Sequence, residues 1–205
     1  MKKINTYINE RLTINKDTDG MFKYHPKNRK ELREIIYELL EERGKNADLN
    51  DIDISKVTDM SDLFSGFDPH NIDISKWDVS HVTNMSEMFC YCGNFNCDLS
   101  SWNVSNVTNM CEMFRACEKF NSDLSSWNVS KVTNMDSMFW YCYKFNSDLS
   151  SWNVSNVKEM TYMFYFARSF DSDLSKWNTS NSAKCQFFMF DGCDSLKKIP
   201  KWYKG

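Results

Sequence analysis

Side chains able to do chemistry are few in this chain, and their spacing assembles no reactive centre. Histidine occurs only at His25, His70 and His81, in unrelated surroundings, and no Ser–His–Asp or Cys–His pairing recurs. Covalent catalysis needs a nucleophile within reach of a base that a third group orients. There is no GxGxxG or P-loop pattern to cradle a phosphate. The expectation is a non-catalytic protein with no cofactor. Eight cysteines raise metal and disulfide chemistry. Cys92, Cys117 and Cys142 share one column, which holds Phe67 and Ala167 in flanking copies. A slot that accepts Phe, Cys or Ala is an apolar core slot for a reduced thiol. Cys90, Cys97, Cys111 and Cys185 stand in columns that are otherwise polar or aromatic, and Cys90-Tyr91-Cys92 with Cys97 lacks the paired CxxC and histidines of a structural zinc site. No metal is expected. The recurrent Asp73, Asp98, Asp123, Asp148 and Asp173 suggest a calcium ladder, but calcium repeats supply several oxygens per turn around glycines, and glycine is scarce here. They read as turn carboxylates that accept neighbouring backbone N–H groups. A Thr83, Thr108, Thr133 row breaks at Lys158 and Glu159, too early for a regular binding array.

Chemistry of recognition is better represented. Columns that repeat in every copy are scaffold, and exposed columns that vary are where a partner is read. The variable row follows a recurring Met-Phe pair and contains Arg115, Lys119, Trp140, Tyr141, Tyr143, Lys144, Tyr165, Phe166 and Arg168. Trp, Tyr and Arg at a surface are the residues enriched at interaction hot spots. The same residues would also serve single-stranded nucleic acid, with Trp140, Tyr143 and Tyr165 stacking bases and the cations meeting phosphates. Charge favours a protein. Residues 51–183 hold 9 Lys/Arg against 17 Asp/Glu, whereas residues 184–205 hold 5 Lys against 2 Asp. An acidic middle argues against wrapping nucleic acid.

What must position these residues is a repeat. Trp77, Trp102, Trp127, Trp152, Trp177 and Trp202 stand 25 residues apart, and the text between them is nearly verbatim. A period of this length is the mark of a solenoid whose units bury their apolar faces on one another. In residues 101–125, Trp102 and Val104 alternate about Asn103 as in a short strand. Met110, Met113, Phe114 and Cys117 then fall at i, i+3, i+4 and i+7, the stripe of two helical turns, with Asn109 and Glu112 as a capping box, repeated by Asn84 and Glu87. The expected fold is therefore α/β: about six 25-residue coils over residues 51–205, each a short strand plus a short helix. Residues 1–50 are expected to cap the array. Ile4, Tyr7, Ile8 and Leu12 predict one short helix; Leu32, Ile35, Ile36, Leu39 and Leu40 predict a second near 29–43, ended by Gly44. In the last copy, CQFFMFDGC carries one extra residue and DSLKKIPKW one fewer, which restores Trp202 to register.

The motif WNVSxVTNMxxMFxxCxxFNxDLS resembles the bacterial surface protein repeat, also called the mycoplasma lipoprotein-associated repeat, a branch of the BspA-like leucine-rich repeats. The segment PKNRKELREIIYELLEERGKNADLNDIDISKVTDMSDLF is similar to the cap before such arrays. The resemblance implies a leucine-rich-repeat-like solenoid with an N-terminal helical cap, used for protein–protein contact. It implies adhesion where the array is displayed on a cell surface, and inhibition of a host protein where the array is carried by phages or mobile elements. The first residues, MKKINTYINERLTINKD, contain no apolar signal core, and no 18-residue apolar run occurs anywhere. The expectation is a cytoplasmic protein without membrane contact, with a protein as its partner.

Overall fold

The computed structural model describes residues 22–182 and 184–204. The helix expected from Ile4 to Leu12 lies outside them. Within residues 22–26, Tyr24 pairs in parallel with Ile52. The single helix among the described residues, α1 (Arg29–Arg43), starts where the Asn28 side chain accepts from the Glu31 N–H at 3.1 Å. It ends at Gly44, whose φ of 81° suits glycine and whose N–H donates to the Leu40 carbonyl. Its apolar face, Leu32, Ile35, Ile36 and Leu39, is buried in the same core as the first repeat.

The repeats stack as layers, but not as strand-plus-helix coils. The α/β solenoid expected from the apolar periodicity is overturned: α1 apart, the described repeats contain no helix and no strand, only turns and isolated one-residue parallel bridges. One row of bridges joins Asp59, Asn84, Asn109, Asn134 and Glu159. The reason lies in where the backbone N–H groups go. In the segment read as a helix, Met110, Glu112, Phe114 and Ala116 donate to the carbonyls of Asn134, Asp136, Met138 and Trp140 in the next layer, at 3.0, 2.9, 3.0 and 2.6 Å. The residues between them, Met113, Arg115 and Cys117, close i→i−3 turns onto Met110, Glu112 and Phe114. Alternate donors thus point along the stack, which an α-helix forbids. To turn them there the chain enters the left-handed region twice per layer. One column comprises Asp62, Glu87, Glu112, Ser137, Tyr162 and Phe188, at φ of 54–57°. The other comprises Gly66, Tyr91, Ala116, Tyr141, Phe166 and Gly192. The capping box fails with the helix: Asn109 Oδ1 accepts from the Cys111 N–H, closing an Asx turn, and Glu112 turns to Arg115.

The i, i+3, i+4, i+7 stripe still points inward, because turns closed every three to four residues present the same side as a helix would. Phe64, Phe89, Phe114, Phe139, Phe164 and Phe190 stack nearly parallel at 5.2–5.8 Å. A second column, Phe95, Phe120, Phe145 and Phe170, runs beside it, 4.0–4.1 Å from its partner in each layer. The repeat tryptophans are buried, Trp202 only in part, and the indole N–H of Trp77, Trp127, Trp152, Trp177 and Trp202 donates to the carbonyl of Leu49, Leu99, Leu124, Leu149 and Leu174, one layer back. Ring area and a satisfied polar tip together make these five tryptophans fasteners between layers, whereas the buried indole N–H of Trp102 finds no acceptor among the described residues. Where the last copy has its extra residue, the interlayer register shifts by one: Met160 and Tyr162 donate to Cys185 and Phe187.

Two substitutions test the left-handed corners. In a helix interior, Ala116→Gly would cost about 1 kcal/mol. At φ 56° it instead removes left-handed strain of about 1–2 kcal/mol and adds an entropy cost of about 0.5–1 kcal/mol. Urea denaturation is expected to show unchanged or slightly higher stability; a loss of a full kcal/mol contradicts the turn geometry. In the same column, a Cβ at Gly192 would meet the Phe166 ring at 2.8 Å. Gly192→Ala is expected to lose about 2 kcal/mol or more.

Candidate functional site

The left-handed corners carry their side chains on one edge of the stack, and most of the variable row gathers there. Arg115 lies between two rings, its guanidinium 4.2 Å from the Trp140 ring centre and 5.3 Å from that of Tyr91. Glu112 holds it there through a 2.6 Å ion pair. Trp140 stacks on Tyr162 at 5.1 Å, and Tyr162 on Phe188 at 5.3 Å. Tyr165 stands edge-on to both Trp140 and Tyr162. Tyr141 packs on Phe166 at 5.5 Å and near Tyr143 at 5.9 Å. Arg168 covers the Tyr143 ring at 4.8 Å, with Asp194 3.9 Å away. The result is a continuous aromatic strip across several layers, braced by an arginine at each end. Each cation–π contact is worth about 0.5–1 kcal/mol where water reaches it.

Two of the residues singled out in the sequence stand apart. Lys119 donates to Asn94 Oδ1 at 2.7 Å, and Lys144 is exposed, with no ion pair among the described residues. Three members were missed: Tyr91, Tyr162 and Phe188. Tyr162 and Phe188 follow Glu87, Glu112 and Ser137 in one column, which a helical frame assigns to the N-cap partner. The available signal was the change in that column from acidic to aromatic. The rings of Trp140, Tyr141, Tyr143, Tyr162, Tyr165 and Phe166 are half-buried, whereas Phe188 and Tyr91 are exposed. The Trp140 indole N–H is shielded and finds no acceptor among the described residues.

Beside the strip, ligand atoms of Glu87, Cys90 and Glu112 lie within 4.8 Å of one another. Burial, with Glu112 adding to it, pushes the Cys90 thiol up to about 12, so it is protonated at neutral pH, and Glu112 is already engaged by Arg115. In the core column, Cys92, Cys117 and Cys142 are buried thiols, and each Sγ–H donates to a phenylalanine carbonyl one layer back.

The aspartate column is engaged as turn acceptors. Asp73, Asp98, Asp123, Asp148 and Asp173 accept from the backbone N–H two residues on, at 2.9–3.0 Å. Asp123 also accepts from Ser147 Oγ, which itself accepts from the Leu124 N–H, so one hydroxyl ties two layers. Ser172 does the same for Asp148 and Leu149. The N–H of Ser100, Ser125 and Ser150 holds the carboxyls of Asp98, Asp123 and Asp148 below the ordinary carboxylate range.

The chain matches the family described as Mycoplasma protein of unknown function, DUF285, over residues 30–139 and again over 99–203. It belongs to that family. Two overlapping matches on one chain are what a repeat family produces, and the DUF285 description names neither a leucine-rich repeat nor a surface role. No curated protein and no solved structure matches the chain. Among the described residues, no helix is long and apolar enough to cross a membrane.

A carboxyl whose folded pKa is depressed stabilises the protein above its unfolded value and loses that contribution as pH falls through the folded one. Stability to urea is therefore expected to hold from pH 7 down to about pH 5 and to fall below about pH 4. In the double variant Asp123→Asn, Asp148→Asn that acid-side fall becomes shallower. An unchanged acid limb would show that the turn carboxylates are not linked to folding.

Proposed function

We infer that this protein is a non-catalytic repeat module that binds another protein through the aromatic strip. One observation carries the reading: Trp140, Tyr141, Tyr162, Tyr165, Phe166 and Phe188 form one connected set of rings at the edge of the stack. Four of them sit at left-handed corners, where glycine or asparagine costs less. A bulky ring at such a corner adds nothing to the buried core columns. Its use lies in what the edge presents. Rigid rings with few rotamers lose little entropy on binding, and a shielded, unanswered indole N–H gains from a partner that brings an acceptor.

Nucleic acid is the weaker reading. Arg115 and Arg168 are engaged by Glu112 and Asp194, and residues 51–183 hold 17 acidic against 9 basic side chains. Phosphate contact requires free cations, and binding that depends on it falls steeply with salt.

Capture from native-host lysate with identification by mass spectrometry, followed by titration of the purified partner, tests the proposal. The variant Trp140→Ala, Tyr165→Ala is expected to weaken binding by about 30-fold or more, the scale of one or two hot-spot residues. Asn128→Ala, Asn153→Ala, on exposed positions elsewhere on the stack, should leave it unchanged. Melting curves of both variants control for folding. Equal affinity of the first variant and wild type would remove the strip from recognition, and a captured nucleic acid with steep salt dependence would replace protein as the partner class.

A further inference from the structure

The layers have a direction. Along the turn segment every layer sends alternate N–H groups toward the C-terminal end of the stack and receives donors on its carbonyls from the N-terminal side. The first layer therefore carries a row of carbonyls that no earlier repeat addresses, and the last a row of N–H groups that no later repeat answers. The two ends are treated differently. At the first, arginines from α1 take the place of a preceding layer: Arg29 Nη1 donates to the Ser61 carbonyl at 3.0 Å, Arg33 Nη2 to that of Ser65 at 2.9 Å, and Arg33 Nη1 to that of Asp62. At the last, the N–H groups of Gln186, Phe188 and Gly192 find no acceptor among the described residues. Beside that row the Tyr203 ring packs edge-on against the Phe190 ring at 5.0 Å.

Three further observations fall on the same layer. Gln186 occupies the column of Met60, Met85, Met110, Met135 and Met160, is 4% exposed, and neither its amide oxygen nor its nitrogen has a partner among the described residues. An unmet buried amide costs about 1–3 kcal/mol, a cost absent from the methionine layers. Phe187 and Phe188 are 54% and 50% exposed, while the matching aromatic one layer back, Tyr162, is half-covered by Phe188. Residues 184–205 carry 5 Lys against 2 Asp. Lys197 is paired with Asp171, whereas Lys184, Lys198, Lys201 and Lys204 are exposed, without an ion pair among the described residues.

We propose that the last layer is a docking edge for an extended acidic segment of another protein, which adds one more layer by lending carbonyl oxygens to Gln186, Phe188 and Gly192. The chemistry selects this occupant. A donor-only row needs acceptors, so two copies of this edge facing each other about a two-fold axis would oppose N–H to N–H and lysine to lysine. Head-to-tail joining of copies is hindered, because the arginines of α1 already occupy the Ser61 and Ser65 carbonyls at the other end. A polypeptide segment supplies carbonyls at alternate residues, as Cys185, Phe187, Met189 and Asp191 do for the layer before, in the manner of strand addition at an open sheet edge. Acidic side chains on it meet the free lysines, an apolar one covers Phe187 and Phe188, and the Gln186 amide gains backbone partners. This edge adjoins the aromatic strip proposed above and shares Phe188 with it, but uses neither Trp140 nor Tyr165.

The probe is a synthetic peptide with the sequence of residues 76–100, blocked at both ends. Its net charge is −2, from Lys76 against Asp78, Glu87 and Asp98. Titrated into the isotope-labelled full chain, it is expected to shift the Gln186, Phe188 and Gly192 amide signals saturably and to slow their hydrogen exchange at least tenfold. Lys198→Glu, Lys201→Glu, both exposed changes, should weaken it at least tenfold, and a peptide carrying Lys in place of Asp78, Glu87 and Asp98 should not bind. Absence of binding at millimolar peptide overturns the proposal. So does equal affinity for the charge-reversed peptide, or shifts that centre on Trp140 and Tyr165. Inorganic phosphate that shifts the same amides when the peptide does not would make the edge an anion site and end the polypeptide reading.

Discussion

Everything in this fold depends on the alternation of backbone donors in the turn segment of each layer. One N–H closes a local turn, and the next reaches across to the following layer. Buried backbone groups must be paired, and the alternation pairs them without helix or strand. It requires a corner in the left-handed region at every fourth residue of the segment, as at Glu112 and Ala116. Those corners hold Met110, Met113, Phe114 and Cys117 on the inner side and send the intervening side chains out. The phenylalanine columns, the indole N–H fasteners and the serine–aspartate ties all presuppose the register that these donors set.

That register also separates the fixed interior columns from the variable corners. Interior columns are fixed by rings stacking on their own kind one layer away, so a change there is felt in two neighbours. Corner side chains are required only to tolerate positive φ. The same two columns accordingly hold Glu, Ser, Tyr, Phe, Ala and Gly in different layers while the backbone stays the same. In the first column acidic corners occupy the early layers and aromatic ones the later, and Arg115 sits at the junction, bound to Glu112 on one side and Trp140 on the other.

Much of this was legible in the sequence, and the failure has a physical cause. The tryptophan spacing announced stacked repeats; the Phe–Cys–Ala column announced buried thiols; Asp98 and its counterparts announced turn carboxylates; α1 and its Gly44 end were readable from Leu32 to Leu39. The segment from Met110 to Cys117 misled because apolar spacing reports which side chains face inward, not which carbonyl each N–H reaches. A helix and a run of turns share the i, i+3, i+4, i+7 stripe. What distinguishes them is φ at Glu112 and Ala116, and neither residue type advertises the left-handed region as glycine does. Of the aromatic strip, Arg115, Trp140, Tyr141, Tyr143, Tyr165, Phe166 and Arg168 were singled out because they vary. Tyr162 was passed over because a cap position was expected there, and Lys119 and Lys144 were included although they stand outside the strip.

The sense of the stack has a consequence for how such a chain changes size. Every interior layer offers the same lower and upper surface, so a whole repeat can be duplicated or deleted without disturbing either end, whereas the gain of one residue inside a repeat must be absorbed by a local shift such as the one before Cys185. Length is then quantised. A gene encoding this architecture can lengthen or shorten its outer edge one corner pair at a time, leaving α1 to close one end and the lysine-bearing layer to finish the other.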